Sequence, residues 1–184
     1  MLLLKSFRCS SPFLIALILS ACGSGQSATP NTSSTDASTT MPSVINGIQV
    51  PPMPNPAINN ATLLGVDSNN NGVRDDVEIY IAQKYGKNPI QYKAMMQSAK
   101  AAQLYLEANG DPTMSTKAMI EVDKASDCSF YAFGNDAISS EKKDDDIMDQ
   151  TFNSKERFVA YTKSVKSSTL VLDHVENNAQ KSCE

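Results

Sequence analysis

From Asn88 onward, apolar residues return every three or four positions, the spacing that gives a helix one buried face. Ile90, Ala94, Met95, Ala99, Ala102 and Leu106 form the first such stripe. Asn88-Pro89 opens it, with a capping amide followed by a proline whose missing N–H costs nothing in a first turn. Asn109-Gly110 closes it, and Asp111-Pro112 repeats the opening signature. Met114, Ala118, Val122 and Ala125 continue as a second stripe toward Cys128, ending near Gly134. A polar helix is expected from Ser140 to about Phe152. Ser154 then caps a last helical region with the stripe Phe158, Tyr161, Val165, Leu172, Val175 and Ala179, interrupted by Ser167-Ser168-Thr169. Upstream, a shorter helix runs to Tyr85, where Gly86 gives a stop signal. Strand signals are nearly absent from 61–184. The pattern predicts a mainly α fold, a small helical bundle over residues 61–184.

The first 60 residues read differently. Residues 1–21 have the plan of an export signal, with Lys5 and Arg8 ahead of the apolar run Phe13–Leu19. The run ends in Leu19-Ser20-Ala21-Cys22-Gly23, which resembles the lipobox of bacterial lipoproteins. The resemblance implies cleavage after Ala21, acylation of Cys22 and anchorage in a membrane through that residue; two or more acyl chains hold stably where one does not. Gly23 and Ser24 stand where members retained at the inner membrane carry Asp. The outer membrane is therefore expected, facing the periplasm or the cell surface. Residues 22–60 are rich in Ser, Thr and Pro, with Pro51-Pro52-Met53-Pro54-Asn55-Pro56 near the end. They read as a disordered tether. Val44–Val50 has apolar residues enough for a short strand, but the reading leaves it in the tether.

Charge and cysteines narrow the picture. The chain has 16 basic and 20 acidic residues, and loss of Lys5 and Arg8 with the leader takes the net charge from −4 to −6. No basic excess is present to hold a polyanion, so nucleic acid is not an expected partner. With Cys9 cleaved away and Cys22 acylated, Cys128 and Cys183 remain as an even pair in an oxidising compartment, where a disulfide is the natural state.

One stretch carries chemistry. Asp67-Ser68-Asn69-Asn70-Asn71-Gly72-Val73-Arg74-Asp75-Asp76-Val77-Glu78 places oxygen-bearing side chains at positions 1, 3, 5, 9 and 12 of a twelve-residue loop. Such a pattern suits Ca²⁺, a hard cation that takes six to eight oxygens. Asp67, Asn69 and Asn71 would wrap the ion, Val73 would offer its backbone carbonyl, Asp75 would bind directly or through water, and Glu78 would close the shell. Gly72 permits the sharp turn. The stretch resembles an EF-hand loop and is closer still to unpaired bacterial calcium loops of the thrombospondin type 3 and dockerin kinds. Two departures stand out. Residues 56–66 allow at best one or two turns of entering helix. Position 8 is Arg74, where paired EF-hands usually carry an aliphatic residue. The resemblance implies a constitutive structural ion rather than a sensor.

Other features read plainly. Asp144-Asp145-Asp146 with Asp149 reads as a solvated acidic face, the alternative being a second cation site. His174, the only histidine, reads as a surface or partly buried helix residue. No zinc spacing, glycine-rich phosphate cradle or G-x-S-x-G motif is present. The expected protein is a membrane-anchored envelope lipoprotein, not an enzyme, whose Ca²⁺-stabilised helical domain acts as a structural or binding module toward an envelope partner. The alternatives are an accessory component of a secretion or surface assembly, or a hydrolase with a Ca²⁺-supported acidic site.

Overall fold

A computed structural model of the chain describes residues 43–170 and 179–184. The export signal, Cys22, the segment up to Pro42, and Leu172, His174 and Val175 lie outside the described residues. The described elements are β1 (Ser43–Ile45), β2 (Ile48–Val50), α1 (Pro56–Asn59), α2 (Asp75–Tyr85), α3 (Pro89–Ala108), α4 (Pro112–Ala132), α5 (Ala137–Thr151), α6 (Lys155–Ser167) and a 3₁₀ turn (Ala179–Ser182). The fold is mainly helical, as the periodicity predicts.

Local chemistry sets most helix ends. Asn88 Oδ1 accepts from the Ile90 N–H at 3.2 Å, and Asp111 Oδ1 from the Met114 N–H at 2.8 Å. Ser154 Oγ accepts from the Arg157 N–H at 3.2 Å. Each side chain satisfies an N–H that a helix start leaves without a partner. Asn109 ends α3 in the left-handed region at φ 42°. The short connection that follows makes α3 and α4 an antiparallel pair at the centre of the molecule.

The core has three parts. Val73, Val77, Ile81 and Tyr85 pack on Ala94, Met95 and Ala99 of α3, with Cys128 of α4 and Ile147 of α5 completing the cluster. A second cluster joins Ala102, Tyr105 and Leu106 of α3 to Ala118, Phe152 and Ala160. Here the Tyr161 ring stacks on Phe152 at 4.2 Å between centroids and meets Tyr105 edge-on at 5.4 Å. A third, smaller cluster seats Val50 against Ile79 and Ala82 of α2. Cys128 and Cys183 are disulfide-bonded, with Cα atoms 4.9 Å apart. The bridge ties α4 to the 3₁₀ turn rather than to a continuing last helix.

Four expectations are corrected. The helical domain does not begin at residue 61: Ser43–Val50 forms an antiparallel hairpin, with Ser43 opposite Val50 and Ile45 opposite Ile48. Asn46 and Gly47 have φ values of 51° and 83°, both positive, as the tightest hairpin turn requires. The hairpin docks because Asn46 Nδ2 donates to the last-turn carbonyl of Ala82 at 2.9 Å while Val50 enters the core. Gly86 does stop α2, but at an ordinary φ of −61°. Its need is space, since a Cβ there would stand 3.0 Å from Ile48 Cδ1 and 3.1 Å from Asn46 Cβ.

The polar helix starts three residues early, at Ala137, because Asp136 caps it. On α6 the expected stripe holds at Tyr161, which packs in the second cluster, and fails at its other two positions. Phe158 and Val165 are exposed, and the buried face is Arg157, Ala160 and Ser164. Ser164 Oγ donates to the Tyr105 carbonyl at 2.8 Å and accepts from the Gly110 N–H at 2.9 Å, so this helix docks partly by closing the end of α3. Finally, the acidic run on α5 is not a solvated face. Asp145 and Asp149 are exposed, but Asp144 and Asp146 are half-buried and hydrogen-bonded to other helices.

Candidate metal centre

The Asp67–Glu78 loop is built largely from its own side chains. The Asp67 carboxylate accepts from the Asn71 N–H at 3.2 Å and the Gly72 N–H at 2.9 Å. Asn69 Oδ1 accepts from the Asn71 N–H at 3.2 Å, and Asn71 Oδ1 from the Val73 N–H at 2.9 Å. These short side-chain-to-backbone bonds are what Asn and Asp do in turns. Gly72, at φ 86°, lets the chain reverse under the Lys100 stem, 3.2 Å from where a Cβ would stand. Val73 points its side chain into the core, which fixes the loop's exit.

The carboxylates at the loop's end are buried. Glu78 is 3% exposed and Asp75 is 1% exposed. Glu78 Oε2 accepts from Asn71 Nδ2 at 2.7 Å and Asn69 Nδ2 at 3.0 Å. Asp75 Oδ1 accepts from the Ser68 N–H at 2.9 Å. Burial raises the Asp75 pKa above the ordinary carboxylate value, against the Ser68 hydrogen bonds that pull it down. Among the described residues none of Asp67, Asp75 and Glu78 forms an ion pair; the pairs present are Arg74–Asp76, Lys84–Asp146 and Lys124–Glu121.

The five expected side-chain ligands therefore fall into two groups. Asp67, Asn69, Asn71 and Glu78 are linked through one network, while Asp75 is turned to Ser68. Among the described residues no three Asp, Glu, His or Cys side chains stand close enough to hold a metal by themselves. A cation would need the Asn oxygens, and they are occupied by the turn, with the amide nitrogens facing Glu78 instead. The donor set nonetheless fits a hard cation. It offers only oxygen, and it buries two carboxylates that no ion pair among the described residues offsets.

Two residues that the pattern did not single out as structural hold this loop in place. Arg74, at position 8, is fully buried. It pairs with Asp76 and donates Nη1 to the Thr151 carbonyl at 3.0 Å and Nη2 to the Gln150 carbonyl at 2.8 Å, closing the end of α5. Arg157, also buried, reaches back from α6 to the segment before the loop. Its Nη2 donates to the Asn59 carbonyl at 2.6 Å, Nε to the Leu63 carbonyl at 2.9 Å, and Nη1 to Asn60 Oδ1 at 3.0 Å. Burial first, and the nearby Arg74 charge second, press its pKa below the ordinary guanidinium value. Asn59 joins the set, accepting from the Val66 N–H at 2.9 Å and donating to Asp76 at 3.0 Å. Gly65, at φ 72°, passes so close to the Arg74 stem that a side chain there would collide with it. An arginine in an aliphatic position was the signal for Arg74; nothing local marks Arg157.

A second polar cluster sits on the far side of α2. Asp146 accepts from Tyr80 Oη at 2.7 Å, Lys84 Nζ at 2.8 Å and Tyr85 Oη at 3.1 Å. Burial opposes its charge, but the three donors together outweigh it and hold its pKa below the usual value.

Comparison with known proteins found no matching family model, no similar curated protein and no similar solved structure.

Proposed function

We propose that this is a lipid-anchored protein of the bacterial envelope, held at the outer membrane by acylated Cys22. Its small helical domain carries one structural Ca²⁺ in the Asp67–Glu78 loop and serves as a binding or structural module toward an envelope partner. The observation that carries the metal reading is the pair of buried, unpaired carboxylates, Asp75 and Glu78, at the end of a loop made of oxygen donors. When bound, the ion would supply the counter-charge that no ion pair among the described residues gives Asp75 and Glu78. Asp67, Asn69, Asn71, the Val73 carbonyl, Asp75 and Glu78 would hold it. Because α2 begins at Asp75, the same ion would fix that helix start, and through Arg74 the end of α5.

Thermal unfolding in excess Ca²⁺ and in chelator tests the reading. Ca²⁺ raises the melting temperature of the wild-type protein, and Asp67→Ala abolishes the rise. Coincident curves for the wild type in the two buffers overturn it. The anchor is tested by Cys22→Ser, which releases the protein from the membrane fraction; continued sedimentation with membranes contradicts it.

A further inference from the structure

The region where α3, α4 and α5 meet holds a feature that the metal loop leaves unused. A cavity of about 250 Å³ opens between these helices. It exists because the facing positions are small: Ser98 on α3, Ala125 on α4 and Ser140 on α5 are too short to fill the gap, in an interior that is otherwise closely packed. Val122 of α4 and Met148 of α5 give it apolar walls. Exposed Glu141 and Asp145 lie at its solvent side.

Asp144 lines the same cavity. Its carboxylate accepts from Ser98 Oγ at 2.7 Å. The hydroxyl of Ser129, fully buried and otherwise without a hydrogen-bond partner, also faces it. No described lysine or arginine pairs with it. A carboxylate beside apolar walls with only hydroxyl partners is poorly compensated. Burial accordingly pushes its pKa up to about 6, with the Asp145 charge adding to the shift and the two serines opposing it.

We propose that this cavity binds a small organic cation, a primary ammonium on a short alkyl body, with Asp144 as its counter-ion. The carboxylate chooses a cation over a neutral molecule or an anion, and Glu141 and Asp145 at the mouth add to the same field. The apolar walls choose an organic cation over a metal ion, around which no three described carboxylates converge here. The volume limits the body to a short chain, below the size of typical drug-like ligands. Entry of the ammonium pairs the carboxylate, and the alkyl chain covers Val122 and Met148. The inference stands independently of calcium in the loop.

The test is an NMR titration of the full-length protein, labelled at Met and Ala methyl groups, with n-butylammonium and with 1-butanol. Butylammonium shifts the Met148 and Ala125 methyl signals saturably, while buried Met95, outside the cavity, reports an unchanged fold. Butanol binds at least tenfold more weakly, and so does butylammonium to Asp144→Asn. Ala125→Val, which narrows the cavity without touching the carboxylate, causes a comparable loss. Glu141→Gln and Asp145→Asn at the mouth change affinity less than threefold. The proposal is overturned by the absence of a saturable shift, by an equal response to butanol, or by mouth variants that weaken binding as much as Asp144→Asn.

Discussion

The Asp67–Glu78 loop and the Asp144–Asp146 run both carry carboxylates into the fold, but their partners come from different distances along the chain. In the loop every hydrogen bond to the expected ligand carboxylates Asp67, Asp75 and Glu78 comes from within nine residues. On α5 the hydrogen bonds from Ser98 to Asp144 and from Tyr80, Lys84 and Tyr85 to Asp146 span 46 to 66 residues, reaching from α3 and α2. The outcomes differ as well. Asp146 receives a lysine and two phenols, and its charge is held. Asp144 receives hydroxyls alone, and burial dominates. Glu78 receives amides alone, with no positive charge. Acidic residues two positions apart on one helix thus have opposite electrostatic fates, because a helix turns by about 100° per residue and shows the two to nearly opposite surroundings.

The largest way to break the comparison is to remove the foundation of the loop. Arg157→Ala leaves the buried carbonyls of Asn59 and Leu63 without donors and is expected to cost about 4 kcal/mol, as for a broken buried charged network. Urea unfolding measures it. A loss below about 1 kcal/mol would show that the loop does not depend on α6. Next in size is the metal: Ca²⁺ at a hundredfold excess over its Kd stabilises by about 2.7 kcal/mol, and Asp67→Ala removes this. The Asp144 region should not respond, so Asp144→Asn keeps the full calcium increment.

Asp144→Asn itself sharpens the contrast through pH. Well below pH 3.8 the group is protonated in both states and contributes nothing to the difference. As pH rises toward 6, the unfolded chain ionises at the ordinary value near 3.8 while the folded carboxyl resists to about 6, so wild-type stability falls across that window. The variant lacks this slope and is expected to be more stable at pH 7 by about 2 kcal/mol, after discounting for partial exposure. A constant difference from pH 4 to 7 would contradict the assignment. The smallest effect belongs to the compensated member. Lys84→Met at a partly exposed pair costs at most about 1 kcal/mol, and high salt shrinks the difference. A salt-independent loss would mean that the Lys84 ammonium acts through its close contacts with Tyr80 rather than through the ion pair with Asp146.

Much of the fold was legible because its signals are local. The Asn88-Pro89 and Asp111-Pro112 starts, the Asn109-Gly110 stop and the Ser154 cap each stand where their chemistry placed them. The Asn46-Gly47 turn was equally local, yet two three-residue strands gave too little alternation to separate them from a tether. The α6 face was misread because apolar spacing pointed to Phe158 and Val165, whereas Arg157 and Ser164 are buried for their hydrogen bonds to other segments. Apolar periodicity misses a face buried for polar reasons.

The sequence by itself determined the helical plan, the cysteine pair available to bridge, and an oxygen-rich loop at 67–78 whose turns close through side chains a few residues apart. Spacing along the chain is enough for each of these, because the interacting atoms are neighbours or the choice is a matter of counting. Only the tertiary structure decided that Arg74 and Arg157 turn inward to brace that loop, that Asp146 finds Lys84, and that Asp144 ends in a cavity without a cation. Those outcomes depend on which helices come together, and a charge's fate is set by the groups that surround it in space.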